Sequence, residues 1–408
     1  MRVIAVGDDD QNIYEFRGSD SGYLYLLRKQ RNGSFIEMAE NYRSARHIVD
    51  FANGFATGIG NRMKSLPIVS MRENEGRVEV IRHQSGEMYR PIVDELVMRR
   101  NEGTSCVLTQ TNDEAVILTA LLRRNRLDCR LIQSLDGFSF WKVAEVRYFL
   151  RHLEKRCTAP VIADELWEDA KRMTSEKYRT SRILPLVMRC VEMFEQTTRA
   201  KYLGDFKEFL FESSVEDFCD ISGEGIVVST IHKAKGREFD NVYMLVSADR
   251  PMDDSLRRRY YVGMTRARNF LSVHTNAGFF SHLNADACIQ DDNEYPMPEE
   301  VVLQLSHKDV NLGFFEKRKR EILEMRSGDM LSYRDCMLHS ATTGLPVAKL
   351  SAKMQKTLSE WEGRGYRVQS AEVRFVVAWK PKEAPKGASE SAVLLADMTL
   401  RLADSVLS

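Results

Sequence analysis

The sequence lacks the features that mark several specialised classes of protein. None of its 408 residues lies in an apolar run as long as a membrane span, and the first ten, MRVIAVGDDD, do not have the pattern of a secretory signal peptide. Its seven cysteines are far apart and include no Cys-x-x-Cys pair, which argues against a disulfide framework and a cysteine metal site. These absences predict a cytoplasmic protein with reduced thiols, no metal site and no membrane partner.

The chain also lacks an excess of either charge. Its 59 lysines and arginines balance 59 aspartates and glutamates, so the formal net charge at pH 7 is zero. Binding to nucleic acid would therefore depend on local clusters of basic residues. Two such clusters are present, one at Arg257–Arg259 with Arg266 and Arg268, and one at Lys317–Arg320.

Apolar runs of strand length alternate with segments of helical periodicity along much of the chain. Strand 78–81 precedes helix 88–100, and strand 106–109 precedes helix 112–124. Strands that alternate with helices predict an α/β fold with a parallel sheet covered on both faces. Further strands are predicted at 3–6, 35–38, 129–132, 226–231, 242–246 and 270–274, and further helices at 23–27, at 255–267 and after Ser44 as an N-cap.

Three segments depart from this pattern. Residues 141–220 repeat apolar side chains at helical spacing without a clear strand, which predicts a helical insertion. Residues 284–300, which include DDNEYPMPEE, have the composition of a linker. Residues 301–408 then carry short strands of their own, so we expect a small β-rich or α+β module at the carboxy terminus.

The stretch Gly225–Val246, GIVVSTIHKAKGREFDNVYMLV, joins two apolar runs by a charged loop. In open α/β sheets, ligands bind at the carboxyl ends of the strands, where such a loop would project. Glu238 could accept hydrogen bonds from a ribose hydroxyl, as acidic residues do in other nucleotide sites. Gly236 would allow the backbone to approach a ligand closely. By itself this loop indicates a ligand site, and three other stretches of the chain complete the pattern.

Near the amino terminus, GDDDQNIYEFRG places Gln11 in a polar loop after the predicted strand 3–6. A side-chain amide in this position can sense a terminal phosphate or orient an attacking water. Tyr14, Phe16 and Arg17 follow Gln11. Aromatic rings of this kind stack on the bases of single strands, with about 1–3 kcal/mol per base.

Two more stretches, ENYRS at 40–44 and VGMTRAR at 262–268, carry planar and cationic side chains. The Tyr42 ring could stack on adenine, and the Arg43 guanidinium could bind two phosphate oxygens at once. Arg266 lies at the end of a predicted helix, from which a guanidinium could reach a γ-phosphate and stabilise transition-state charge.

These four stretches occur in the order found in the UvrD/Rep family of superfamily 1 DNA helicases, which the chain resembles over roughly residues 1–280. The resemblance implies the nucleotide-site roles given above for Gln11, Tyr42, Arg43, Gly236, Glu238 and Arg266. It also implies that Phe16 stacks on single-stranded DNA and that Thr230 and His232 contact the DNA backbone. A histidine at a strand end is as often a structural residue, so both interpretations of His232 stay open.

The chain departs from the family pattern at two places. Arg237 stands where the family has an apolar residue, and Ser255 and Leu256 stand where it has acidic residues before the paired arginines. The first departure could add a phosphate contact or leave a solvated side chain. The second puts the local salt bridges in doubt but leaves Arg266 in place.

The resemblance also implies a domain organisation, that of a RecA-like parallel-sheet domain of a P-loop helicase. Residues 1–30 would be the carboxy-terminal remnant of a first RecA-like domain, and 31–140 with 221–283 the second. The remaining segments would be the helical insertion at 141–220, a linker at 284–300 and an accessory module at 301–408.

Two motifs of a complete motor are missing. The chain contains no Gly-Lys pair, and therefore no Gly-x-x-x-x-Gly-Lys-[Ser/Thr] loop to cradle phosphates and hold magnesium. It also lacks the acidic strand that precedes the Gln11 motif in the family; VIADE at 161–165 imitates that strand but lies inside the helical insertion. We expect ATP as substrate, with Mg²⁺ ligands supplied by the missing amino-terminal half.

The function implied is that of a UvrD-like DNA helicase, 3′ to 5′, with a role in processes such as DNA repair. It would couple ATP hydrolysis to translocation on single-stranded DNA and to unwinding. Its partners would be single-stranded or partly duplex DNA and an upstream region or separate polypeptide that supplies the first RecA-like domain. The chain alone is expected to be an incomplete motor. The alternative is a non-catalytic nucleic-acid-binding or regulatory protein derived from a helicase.

Overall fold

A computed structural model gives the fold of most of the chain. It describes residues 4–13, 20, 22–30, 35–60, 62–99, 102–132, 138–157, 159–218, 225–248, 251–315, 318–380 and 390–403. Within these residues no helix is both long and apolar enough to cross a bilayer.

The strands and helices alternate in the first half and again after residue 225. The strands are β1 Glu40–Asn41, β2 Val69–Ser70, β3 Arg77–His83, β4 Ser105–Thr109, β5 Cys129–Leu131, β6 Ile226–Thr230, β7 Phe239–Val246, β8 Ala267–Thr275, β9 Ala287–Asp291, β10 Glu300–Gln304, β11 Met330–Arg334, β12 Met337–Ser340, β13 Pro346–Lys349, β14 Tyr366–Trp379 and β15 Ser391–Leu402. The helices are α1 Gly22–Gln30, α2 Arg46–Ala56, α3 Tyr89–Arg99, α4 Asn112–Arg124, α5 Ala144–Arg156, α6 Asp164–Lys177, α7 Leu184–Thr197, α8 Leu203–Glu212, α9 Asp254–Met264, α10 Leu312–Phe315, α11 Lys319–Leu323 and α12 Ala352–Gly363.

The chain forms two compact units, each made of two segments. The first comprises Met1–Ile132 and Ile221–Pro298, and the second comprises Gln133–Asp220 and Glu299–Ser408. The α/β fold with a helical insertion and a carboxy-terminal sheet module is confirmed. The insertion and the module, expected as separate segments, share the second unit.

The first unit is built on seven parallel strands in the order β5-β6-β4-β7-β8-β3-β9. Helices α2 and α9 pack on one face of this sheet, and α3 and α4 pack on the other. Successive residues of a strand point to opposite faces, so Cys106 and Leu108 of β4 join the first core while Val107 joins the second. Both faces are covered, as the near-continuous apolar runs predict.

Strand β9 lies in the segment that the sequence predicts as a linker. Ala287–Asp291 pairs in parallel with Glu79–His83 at the edge of the sheet, so the linker prediction for 284–300 is wrong there. Three of the five residues of β9 are exposed. An edge strand of this kind has neither an apolar run nor a clear alternation, which is why its sequence gives no strand signal.

Two strands predicted near the amino terminus are not formed. The described residues of 3–6 and all of 35–38 lack strand structure, and Ile4 and Val6 are 91% and 83% exposed. A strand is stabilised by backbone hydrogen bonds to a neighbouring strand, and among the described residues neither segment belongs to a β-ladder. The nearest strand, Glu40–Asn41, pairs in parallel with Val69–Ser70.

Helix α2 begins differently from the prediction that Ser44 is its N-cap. Ala45 occupies the cap position without a side-chain hydrogen bond. The Ser44 hydroxyl instead donates to the carbonyl of Ala267, at 2.7 Å. Ser44 therefore fastens the start of the helix to β8, a contact between residues far apart in sequence.

The second unit combines helices α5–α8 with six antiparallel strands in the order β10-β15-β14-β11-β12-β13. The helical character predicted for 141–220 is confirmed. Trp167 of α6 is fully buried among aromatic rings, namely Phe149, Phe194 and Phe206. The helices join the sheet through a bridge between Val143 and Val377 and an ion pair of 2.6 Å between Arg147 and Glu390.

A row of buried polar groups crosses three neighbouring strands of the first unit. Oδ2 of Asp291 lies 2.7 Å from Nδ1 of His83, and Nε2 of His83 lies 3.0 Å from Nδ1 of His274. Oε2 of Glu95 lies 2.6 Å from Nε2 of His274, and the Tyr295 hydroxyl donates to Asp291 at 2.9 Å. Burial, and then the adjacent His274, lower the pKa of His83. The neutral ring is therefore favoured in the folded state.

The first unit is expected to lose stability as the pH falls below about 6.5, the pKa of histidine in an unfolded chain. Because the folded pKa of His83 is lower than this value, its contribution is fully present above pH 6.5 and disappears as the pH falls through the folded pKa. The check is urea unfolding at about pH 7.5 and pH 5.5 on the parent chain and on His83→Asn. Equal losses in both proteins would show that another group is responsible.

The measurement needs a probe of the first unit. The four tryptophans, at positions 141, 167, 361 and 379, all belong to the second unit. Tryptophan fluorescence therefore follows the second unit, and hydrogen exchange of peptides from 36–132 and 225–298 follows the first.

Candidate functional site

The loop between β6 and β7 runs from the edge of the sheet formed by the carboxyl ends of the strands back to the edge formed by their amino ends. Thr230 ends β6 and Phe239 begins β7, and both strands run parallel to β4, which lies between them. The connecting residues coil into turns, with Ala234 N donating to Thr230 O at 3.1 Å and Arg237 N donating to Ala234 O at 3.0 Å. Thr230 therefore lies at the carboxyl edge and Glu238 at the amino edge. The prediction that the nucleotide-binding residues of the loop lie at the carboxyl ends of the strands is wrong for Glu238.

Gly236 adopts a backbone conformation that L-residues rarely take. Its φ is +86°, in the left-handed region that glycine enters without steric cost. A Cβ atom added there would meet no other atom within 4 Å. Gly236 thus serves the turn that returns the chain to β7, whereas the expected close approach of its backbone to a ligand stays a prediction.

Gly236→Ala is expected to lower the free energy of unfolding of the first unit by about 1–2 kcal/mol, the cost of the left-handed region for an L-residue. Gly236→Asn should cost less, because asparagine tolerates this region. The control is Gly278→Ala, where a Cβ would also meet nothing within 4 Å and no positive φ is required. If both alanine variants had the same stability, backbone conformation would not explain Gly236.

Glu238 binds two arginines at the amino edge of the sheet. One carboxylate oxygen accepts from Nε of Arg43, and the other accepts from Nη2 and Nε of Arg268, at 3.1 and 3.2 Å. Burial raises the pKa of Glu238, but Arg268 and Arg43 outweigh burial and the net shift is downward. Glu238 is therefore ionised at neutral pH and fixed between two cations. Sequence reasoning did not identify Arg268 as a site residue; its only signal was membership of a basic cluster.

Arg266 lies in the turn between α9 and β8 and is 2% exposed. Its guanidinium donates four hydrogen bonds, to Val262 O at 3.0 Å, Arg237 O at 3.2 Å, Thr265 Oγ1 at 3.0 Å and Gln11 Oε1 at 3.4 Å. Burial, followed by the nearby Arg43, lowers the pKa of Arg266 to about 10. The guanidinium is still charged at neutral pH, and its contact with Gln11 brings two of the predicted site residues together.

The aspartates before Gln11 fasten its loop to the residues after α2. The Arg62 guanidinium binds both oxygens of the fully buried Asp10, at 2.9 and 2.7 Å. Nζ of Lys64 lies 2.5 Å from Oδ1 of Asp8, whose other oxygen accepts from the Gln11 amide at 2.7 Å. The carbonyl of Gln11 in turn accepts from Nζ of Lys235, at 2.9 Å. Sequence reasoning missed Arg62 and Lys64, because pairing across fifty residues leaves no local pattern.

The three aspartates do not fit a magnesium ion, although Asp8, Asp9 and Asp10 each place a carboxylate oxygen within 4.8 Å of the others. Arg62 takes both oxygens of Asp10, Lys64 and Gln11 take those of Asp8, and the backbone N–H of Met63 donates to Asp9 at 2.6 Å. Two cations and two neutral donors thus already bind five of the six carboxylate oxygens of the cluster. Its role here is to hold the loop.

The remaining predicted residues lie at different places. Tyr42 is 70% exposed, and a hydrogen bond from its hydroxyl to Glu40 raises its pKa. Thr230 is 5% exposed and His232 is half-buried, both at the far end of the crossover from Glu238. Their contact with DNA stays a prediction. Tyr14, Phe16 and Arg17 lie outside the residues that the structure describes.

Comparison with known families and proteins places the similarity in helicase C-terminal domains. Two family models described as the UvrD-like helicase C-terminal domain match residues 36–159 and 225–273. YjcD of Bacillus subtilis, a provisionally named ATP-dependent DNA helicase, is 23% identical over 362 residues, covering 66% of this chain and 47% of its own. The ATP-dependent DNA helicase Rep of Escherichia coli is 26% identical over 167 residues, 37% of this chain and 23% of its own.

A solved structure, the C-terminal domain of a possible DNA helicase from Lactobacillus plantarum, covers 62% of this chain and 99% of its own at 16% identity. The TM-score between the two structures is 0.31. The chain spans about half or less of the length of the curated relatives described above. In sequence the chain is thus similar to the UvrD/Rep family of DNA helicases, and the matched family models place that similarity in their C-terminal domain.

Proposed function

We propose that the chain supplies the carboxy-terminal motor domain of an ATP-dependent helicase that moves 3′ to 5′ on single-stranded DNA and unwinds duplexes. One observation carries this proposal. Gln11, Arg43, Glu238 and Arg266 meet at a single edge of the sheet, although 255 residues separate Gln11 from Arg266. A polar amide, an acid and two guanidinium groups at one edge are suited to a nucleoside triphosphate.

Each residue has a distinct task in the proposed site. The exposed ring of Tyr42 stacks on the adenine, and Arg43 exchanges its contact with Glu238 for the phosphates. That exchange frees one oxygen of Glu238 for a ribose hydroxyl while Arg268 still holds the other. Arg266 directs its positive charge toward the γ-phosphate, where charge develops in the transition state, and Gln11 orients the attacking water.

The proposal needs a second component. A phosphate cradle and magnesium ligands would come from a first RecA-like domain, on an upstream region or a separate polypeptide, because the described carboxylates near Gln11 bind protein cations instead. Magnesium would neutralise charge on the transferred phosphate. The 408-residue chain alone then hydrolyses ATP inefficiently. The proposed setting for the assembled motor is the cytoplasm.

The test is DNA-stimulated ATPase activity of the 408-residue chain, measured beside Arg266→Ala and together with binding to a single-stranded oligonucleotide. We expect DNA binding, with ATP turnover no higher than that of Arg266→Ala. Turnover that Arg266→Ala abolishes would overturn the incomplete-motor proposal and reveal a phosphate site elsewhere. DNA binding that stays independent of ATP even when the first RecA-like domain is added would favour the non-catalytic alternative.

A further inference from the structure

Three cations gather around two tyrosine rings in the second unit. The Lys177 ammonium lies 4.3 Å from the centroid of the Tyr148 ring and 5.5 Å from that of Tyr178. The Arg326 guanidinium lies 4.5 Å from the Tyr178 centroid, and Arg151 is close enough to repel Lys177. The two rings pack edge to face, 5.7 Å apart. Because ring faces attract cations, the tyrosines fix Lys177 and Arg326 in position.

The backbone around this cluster is also held in place. The N–H of Arg182 donates to the carbonyl of Ser327 at 3.1 Å, which ties the end of the 177–182 segment to the turn that contains Arg326. The Asp329 carboxylate accepts from the N–H of Arg326 at 2.7 Å. The N–H of Gly328 donates to the carbonyl of Val373 in β14, also at 2.7 Å. The cations therefore sit on a framework shared by the helical insertion and the carboxy-terminal module.

Within the described part of the chain, several donors of these cations have no hydrogen-bonded acceptor. Lys177 has three N–H donors, and no described residue forms a hydrogen bond or ion pair with its ammonium. Arg326 uses Nη1 for the carbonyls of Leu323 and Met325, both at 2.9 Å. Arg151 has a distant ion pair of 3.6 Å with Glu390. The cluster can thus accept an anion without first breaking a strong ion pair.

The nearby carboxylates only partly balance this charge. Glu372 binds Arg182 with both oxygens at 2.7 Å, and Glu390 lies closer to Arg147, at 2.6 Å. Burial raises the pKa of Glu145, which favours its neutral acid, and the exposed Glu324 attracts Lys177. Burial, and then Arg326 and Arg151, nevertheless lower the pKa of Lys177. The cations repel one another, and a bound anion would relieve that repulsion.

We infer that Arg151, Lys177 and Arg326 form a binding site for the phosphodiester backbone of DNA. The inference rests on the proposed function, because it assumes that the chain binds DNA. Cations already cover the ring faces of the tyrosines, so the site takes phosphates and does not stack on bases. Its contacts are therefore independent of DNA sequence. Lys177 and Arg326 lie outside the residues matched by the family models.

The test compares the salt dependence of DNA binding between charge variants of the full chain. Lys177→Gln with Arg326→Gln removes two cations of the site, and Lys177→Arg with Arg326→Lys keeps them. The matched control is Arg156→Gln with Arg172→Gln, which removes the same charge from α5 and α6, where both guanidinium groups bind Asp169. Fluorescence anisotropy with a labelled single strand and with a duplex of the same sequence gives the affinity at each salt concentration, and circular dichroism checks folding.

Losing two phosphate contacts should make the slope of log K against log salt less steep by about 1.4 for a single strand or about 1.8 for a duplex. At about 0.1 M salt this corresponds to roughly 25-fold or 60-fold weaker binding. The form of DNA that loses affinity identifies the one that the site holds. The charge-keeping variant and the control pair should retain the parent slope.

An unchanged slope in the Lys177→Gln, Arg326→Gln variant, with DNA still bound, would overturn this inference and leave the proposed function intact. An equal loss in the Arg156→Gln, Arg172→Gln control would also overturn it, since net charge alone would then explain the effect. Failure of the parent chain to bind either DNA at any salt concentration would overturn both the inference and the proposed function.

Discussion

Arg266→Ala is expected to lower the free energy of unfolding of the first unit by about 3 kcal/mol, before any effect on catalysis is considered. The guanidinium is 2% exposed and donates to two backbone carbonyls, a hydroxyl and the Gln11 amide. Leaving buried acceptors without a donor costs about 1–3 kcal/mol for each. Urea unfolding followed by hydrogen exchange of first-unit peptides measures this loss.

The control for this prediction is Arg46→Ala. Arg46 is 67% exposed and forms a 3.8 Å ion pair with Asp50 one helical turn away, so its removal should cost less than about 0.5 kcal/mol. A loss for Arg266→Ala as small as that of the control would mean that the buried hydrogen bonds do not stabilise the fold.

This structural role changes how an activity loss in Arg266→Ala must be interpreted. In the proposed complete motor, removing a γ-phosphate arginine should reduce turnover by about 10³-fold or more, but an unfolded first unit would have the same effect. Arg266→Lys separates the two explanations, because it keeps the positive charge but cannot form the same set of contacts. A catalytic role predicts a large loss of turnover in Arg266→Lys at a temperature where hydrogen exchange shows the first unit to be folded.

Asp10→Asn is expected to be the second damaging change, with a loss of roughly 3 kcal/mol. Asp10 is fully buried, and its carboxylate binds Arg62 through two hydrogen bonds and lies 3.4 Å from Lys64. Asparagine keeps the shape but removes the charge, which leaves two partly buried cations with less compensation. The loop that carries Gln11 should open, and hydrogen exchange should rise in residues 8–13 and 62–66.

A double-mutant cycle tests whether the pair causes this effect. Asp10→Asn together with Arg62→Gln should be less destabilised than the sum of the two single variants, with a coupling of about 0.5–3 kcal/mol. Asp50→Asn serves as the exposed control, since Asp50 is 63% exposed and pairs only weakly with Arg46. Strict additivity of the two single changes would contradict a direct contribution from the Asp10–Arg62 pair.

The parts of the fold that depend on local pattern were predictable. Helix α4 spans Asn112–Arg124 as predicted, because its Thr111 capping box and apolar periodicity lie within the helix itself. Strand β4 was recognisable for a similar reason, since burial on both faces gives a short continuous apolar run. The sequence motifs also predicted that Gln11, Arg43, Glu238 and Arg266 belong to one nucleotide site.

The parts that depend on distant partners were not predictable. Strand β9 has an exposed pattern and exists because it pairs with β3, more than 200 positions earlier. Val3–Val6 has the composition of a strand but no strand beside it among the described residues. Arg62 and Lys64 bind aspartates that lie more than fifty residues earlier in the chain, and Arg268 binds Glu238, the residue before β7. Such pairing is a property of the fold, and a short sequence window contains no trace of it.

The crossover between β6 and β7 links the two ends of the strands over a short length of chain. Backbone hydrogen bonds coil the residues after Thr230 into successive turns, and the left-handed Gly236 ends them two residues before Glu238. Glu238 and His232 therefore lie at opposite ends of one hydrogen-bonded segment, only six positions apart in sequence. A residue predicted to bind nucleotide and a residue predicted to contact DNA are thus joined by a single short stretch of backbone.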